Sequence, residues 1–142
     1  MTKGSRSLSR RFAIEVLYQM QMREVDMPLT LKHYQKKKRV DITYLEDVIY
    51  GINSHQLQIK ALIGEGLTNR SVEELDAIES AILNLGVYEL AYRYDIPYKV
   101  IIDESINLTK IFGGQDSHPL INSVLDVVSK KVRKLECGGS AS

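Results

Sequence analysis

Residues 71–92 read SVEELDAIESAILNLGVYELAY. Ser71 and Glu74, then Asp76 and Glu79, have the spacing of a capping box. In that motif an N-cap side chain and an acid three residues on satisfy each other's free backbone N–H groups. Two boxes in succession predict a short helix, a corner and a fresh helix. Ile78, Ala81, Ile82, Leu85 and Tyr88 then recur at the spacing of one buried helical face. The segment DIPY at 95–98 breaks that helix, because Pro97 disfavours helical backbone at Ile96.

The same spacing extends in both directions. Ala13, Val16, Leu17 and Met20 mark a first helix, with Ser9 as its expected N-cap. A short second helix is expected over about residues 29–38. One long helix is expected to carry Leu45, Val48, Ile49, Ile52, Ile59 and Leu62, opened by a Thr43/Glu46 box and ended by Gly64 and Gly66. Residues 100–112 form another, with Ile101, Ser105, Leu108 and Phe112 on one face and Gly113-Gly114 as its stop. Asp116 or Ser117 is expected to cap the last helix, where Pro119 fits the first turn because its missing N–H is not needed. Ile121, Val124, Leu125, Val128, Val132 and Leu135 would line that helix. No segment alternates apolar and polar residues over strand length. The reading is an all-α protein of about seven helices in two small packed bundles. It is one domain with an N-terminal helical part (1–69), a C-terminal helical part (70–136) and a flexible tail (137–142).

The 142 residues are 44 % hydrophobic and 26 % charged, an ordinary balance for a chain that buries its own core. Apolar runs are too short to span a membrane, and the basic start has no apolar segment behind it. A single cysteine, Cys137, cannot form an internal disulfide, which suits the cytoplasm. One Cys and three His leave no zinc constellation, and no glycine spacing cradles a phosphate. No cofactor is expected. Asp116, Ser117 and His118 are the residue types of a hydrolytic triad, but consecutive residues do not face one another on a helix, so a non-catalytic protein is expected.

Net charge is +1 but segregated. Residues 1–40 hold ten Lys and Arg against three acids, residues 41–116 five against thirteen, and residues 117–142 four against two. The basic end suits a polyanion, or is simply solvated. The lysine cluster KKKR at 36–39 reads the same two ways: phosphate contacts, or a solvated helix end.

RRFAIEVLYQMQ near the start, AILNLGVYEL, IPYKVIIDESI and the FGGQDSH…INSVLD run resemble, in order and separation, the NusB family of transcription antitermination factors. The resemblance covers about residues 10–132. It implies two small helical bundles and RNA binding without catalysis. It further implies recognition of the boxA element of nascent RNA together with NusE, a small-ribosomal-subunit protein, within an antitermination complex on RNA polymerase. A homodimer that hides the RNA surface is the competing arrangement. The family's basic arm falls on Lys3, Arg6, Arg10 and Arg11, and its RNA-side loop on Phe112, Gly113, Asp116 and Ser117. Phe112 would stack on a base or pack in the core. The protein partner's contacts fall on Tyr18 and Glu79. Three departures stand out: Ser7, Leu8 and Ser9 interrupt the arginines, residues 64–70 lack an aromatic, and Pro119 and Leu120 stand where relatives often have a basic and an aromatic residue. Replacing Arg10 and Arg11 together by Ala is expected to weaken RNA binding without unfolding the chain.

Overall fold

The computed structural model describes residues 5–138, so Lys3 and residues 139–142 of the expected tail lie outside the described residues. Among the described residues there are seven α-helices: α1 (Arg6–Met22), α2 (Met27–Gln35), α3 (Ile42–Ser54), α4 (Gln56–Gly66), α5 (Ala77–Tyr92), α6 (Tyr98–Ile111) and α7 (His118–Val132). Short 3₁₀ turns at Val72–Glu74 and Gln115–Ser117 precede α5 and α7. Buried apolar side chains from all seven helices join one cluster. Helix α5 is central, lying against α1, α3, α4, α6 and α7. Its sequence explains this: Ala81 to Leu90 is buried almost all round, as a helix without a polar face must be.

Both expected capping boxes form, at Ser71/Glu74 and Asp76/Glu79. Other boundaries move. Ser5, not Ser9, caps α1 by accepting from the Leu8 N–H. Ser9 is buried one turn in, where its hydroxyl donates to the Ser5 carbonyl and accepts from the Asp41 N–H. Helix α2 starts at Met27 under an Asp26 cap and stops at Gln35. The long third helix is two helices, broken at His55, whose ring Nδ1 lies 2.9 Å from the Gly51 carbonyl. Asp41 caps α3, so Thr43 lies inside it and no Thr43/Glu46 box forms. Gly66 does not end a helix by conformation: a Cβ there would sit 3.0 Å from Val124, so glycine lets α4 approach α7 closely. Helix α6 begins at Tyr98, just after Pro97. Helix α7 ends at Val132, leaving Leu135 exposed, because Arg133 turns inward to bond the carbonyls of Glu89, Leu90, Arg93 and Ile96.

Candidate nucleic-acid interface

Helix α1 sorts its arginines by face. At about 100° per residue, Arg10 lies on the same side as Ala13, Ile14 and Leu17, the core face. Arg10 is 2 % exposed, and its guanidinium pairs with Glu89 at 3.1 Å and with Glu104 at 3.6 Å. The Tyr44 hydroxyl donates to the same Glu89 carboxylate at 2.8 Å. Burial pushes the Tyr44 phenol well above its ordinary value and the Glu89 charge pushes it further, so it remains a donor. The expectation that Arg10 meets phosphate is therefore corrected: it is an internal cation whose charge is already neutralised. Arg6 lies over the Tyr44 ring, 4.7 Å from its centroid, and 3.6 Å from Asp41. Arg11 alone of the three is exposed and without an ion pair among the described residues. Tyr18 stands two turns further along the same outer face and is 40 % exposed.

The glycine bend meets that face. Helix α6 ends at Ile111, Phe112 occupies the cap position, and Gly113 takes φ +85°. The Gly114 N–H then donates to the Thr109 carbonyl at 2.8 Å, the bond that closes a Schellman turn. A left-handed residue there favours glycine, which explains the Gly-Gly stop. Reversal of the chain leaves Phe112 lining the same surface clefts as Tyr18 and Ile78. A cleft of about 360 Å³ is lined by Ile14, Glu15, Tyr18, Gln19, Ile78 and Phe112. It adjoins a second of about 290 Å³, in which Tyr18, Ile78 and Phe112 face Gly113, Gly114 and Ser117. Phe112 is half-buried: part of the ring packs on the core and part lines the cleft. Core packing thus accounts for part of the ring and leaves the rest on the cleft wall.

Ser117 sits at the N-cap position of α7 but does not cap it. Its hydroxyl donates instead to Glu79 at 2.7 Å, not to the neighbouring His118. The same carboxylate accepts from the Asp76 N–H at 3.0 Å and from Arg70 at 2.9 Å. Glu79 is 6 % exposed, so it offers a partner almost no surface, contrary to the expected direct contact. Burial alone would raise its carboxyl. The hydrogen bonds from Ser117, the Asp76 N–H and Arg70 outweigh that and hold it below the ordinary 4.5. Asp116 is exposed at the tip of the bend.

The structure thus gathers Tyr18, Phe112, Gly113 and Ser117 around one cleft, with Arg11 up the helix and Glu79 beneath. It separates Arg6 and Arg10 from them. Sequence reading missed Arg70, which fastens the 67–71 linker to Glu79 and to the Glu74 carbonyl. Its only signal was a cation immediately before two acidic capping boxes. Ile78, the cleft's apolar wall, read only as core.

Residues 7–130 match the sequence model of the NusB family. A transcription antitermination protein NusB of Buchnera aphidicola is 41 % identical over 133 residues, 92 % of this chain and 92 % of that one. Among solved structures, T. maritima NusB superposes with a TM-score of 0.83 at 29 % identity, covering 96 % of this chain and 99 % of that chain. A chain of the complex of antitermination factors NusB and NusE with double-stranded RNA gives 0.77 at 22 % identity, over 89 % of this chain and 96 % of that one. At that identity the likeness is one of fold.

Proposed function

The chain belongs to the NusB family, and from that premise we propose that it is an RNA-binding antitermination factor that engages boxA RNA together with NusE. It acts on elongating RNA polymerase and catalyses no reaction. The observation that carries this reading is the cleft at which Tyr18 and Phe112 meet beside the glycine bend, with the exposed Arg11 up the helix. An aromatic edge beside an unpaired cation is what single-stranded nucleic acid requires, since bases stack and phosphates seek positive charge. Asp116 would accept from a base edge rather than meet phosphate. Tyr18, on the same cleft wall, offers NusE an exposed phenol at the rim of the RNA site. Glu79 works from below: it fixes Ser117 and so the shape of the bend. A solved chain of the same fold is found in complex with NusE and double-stranded RNA, the two classes of partner proposed here.

The test is fluorescence anisotropy of the pure protein on boxA RNA and on a scrambled control, with and without NusE. Tighter binding to boxA, strengthened by NusE, is the expected result. Equal affinity for both RNAs under both conditions, or NusE binding with no RNA binding at all, would overturn it in favour of a protein-binding adaptor.

A further inference from the structure

We infer that the loop 36–39 is a second phosphate-docking surface, which takes nucleotides flanking those held at the Phe112 cleft. This inference rests on the RNA-binding reading above.

The loop is tied to the helix that carries Arg11. Tyr34, just before it, packs on Phe12 with ring centroids 5.1 Å apart, and its hydroxyl donates to Glu15 at 2.7 Å. The Ser5 N–H donates to the Arg39 carbonyl at 2.6 Å, and Ser5 and Val40 form a parallel bridge. Just beyond, the Asp41 N–H donates to the Ser9 hydroxyl at 2.7 Å. Residues 34–41 therefore run along the first half of α1, and the loop lies at its start. From Ser5 to Tyr18 is 13 steps, about 20 Å of helix. Arg11 lies between them, so cations are available along a path that a strand of several nucleotides can follow.

Lys36, Lys37, Lys38 and Arg39 are all exposed, and none has an ion pair among the described residues. Most cations of the acidic middle and of the last helix are spoken for: Lys60 by Glu73, Arg70 by Glu79, Arg93 by Asp47 and Asp95, Lys131 by Glu65, Arg133 by Glu136. Two acids packed beside the loop's flanks hold other partners and form no ion pair with it. Glu15 accepts from Tyr34, and Asp41 caps α3 and faces Arg6. Four cations on one short loop, none in an ion pair among the described residues, repel one another, a cost that a polyanion relieves. Arg39 also holds φ 65°, a conformation that glycine or asparagine adopts more readily than arginine. Backbone strain of this kind persists only where surrounding bonds hold it, here the bond to Ser5.

The test uses the full chain with Lys36→Gln, Lys37→Gln and Lys38→Gln combined, and the matching Lys→Arg triple. Arg39 is left intact because of its backbone. Anisotropy is read across a salt series on a short boxA oligonucleotide and on the same core extended on both sides with uridines. Wild type should bind the extended RNA more tightly and with a steeper salt slope. The Gln triple should lose that advantage, its log–log slope on extended RNA falling by about 2, at roughly 0.7 per phosphate contact. The short RNA should be unaffected, and the Arg triple should behave as wild type. Identical slopes for wild type and the Gln triple on extended RNA overturn the loop's role while leaving the RNA-binding reading intact. An equal fall on the short RNA puts the loop within the core site and overturns the flanking role. Intact RNA slopes with loss of NusE binding would assign the loop to a protein partner. If wild type binds neither RNA, the broader reading fails with this one.

Discussion

Helix α5 carries two buried carboxylates ten residues apart, and they hold different things. Glu89, near its C-terminal end, is 1 % exposed and pairs with Arg10 from α1 and with the Tyr44 hydroxyl. Glu79, in its first turn, collects a backbone N–H, a serine hydroxyl and the half-exposed Arg70. One anchors the helix that presents Arg11 and Tyr18; the other anchors the bend that presents Phe112. The first is a dry ion pair, both side chains being almost wholly buried. The second is a set of hydrogen bonds and one ion pair, of which only the Arg70 side is partly exposed. Breaking the first should therefore cost stability, and breaking the second should cost the shape of the cleft.

The largest effect is expected at Arg10. Removing one partner of a buried pair leaves the other charged and unsolvated, at about 3–5 kcal/mol. Arg10→Ala should lower the melting temperature by on the order of 10 °C, measured by calorimetry or circular dichroism. The double Arg10/Arg11 replacement, expected from sequence to leave the fold intact, is thus a stability variant first. A shift under about 2 °C would mean that Glu89 finds another partner or water, and the contrast with Glu79 would vanish.

At Glu79 the expected loss is smaller. Glu79→Gln keeps one acceptor oxygen but strands part of its set, at about 1–3 kcal/mol, and should weaken RNA binding beyond what stability predicts. Acid separates this site from the rest. The folded carboxyl lies below its ordinary 4.5, so its contribution is present above 4.5 and is lost as pH falls through the lower folded value. The melting gap between wild type and Glu79→Gln should hold steady above 4.5 and close below it. A gap that stays constant however far the pH falls below 4.5 while both proteins remain folded would show that the carboxylate's charge is not what fixes Ser117.

Gly113→Ala isolates the bend. No atom lies within 4 Å of an added Cβ, so the only cost is the φ of +85°. That is about 1–2 kcal/mol, or a few degrees of melting temperature. A loss far above this would mean that the bend holds packing beyond its backbone turn.

Helix content and the central helix were legible because periodicity and capping chemistry are local. The pairs Ser71/Glu74 and Asp76/Glu79 formed as read. Failures came where a polar side chain left its local role for a distant partner. Ser117 looked like a cap, and its hydroxyl crosses to Glu79. Ser9 looked like a cap, and it braces Asp41. Arg10 looked like part of a basic arm, although its register with Ala13, Ile14 and Leu17 already placed it inward. That signal was available and was outweighed by charge. The break at His55 had no comparable signal: residues 53–55 contain neither Gly nor Pro.

The smallest effect on the fold, and the sharpest on the contrast, is expected at the next residue. Arg11 is exposed and unpaired among the described residues, so Arg11→Ala should change stability by less than about 0.5 kcal/mol. If it meets one phosphate, the salt slope on single-stranded RNA should become shallower by about 0.7 and affinity should fall at low salt more than at high. Arg10→Ala, assayed at a temperature where it remains folded, should leave the slope unchanged, since a neutralised internal cation releases no counterions. Two neighbours on one helix would then separate cleanly, one acting on melting and the other on salt dependence. If Arg10→Ala also flattened the slope while folded, the start of α1 would have to open on RNA to expose the buried arginine, and Glu89 would be a latch rather than an anchor.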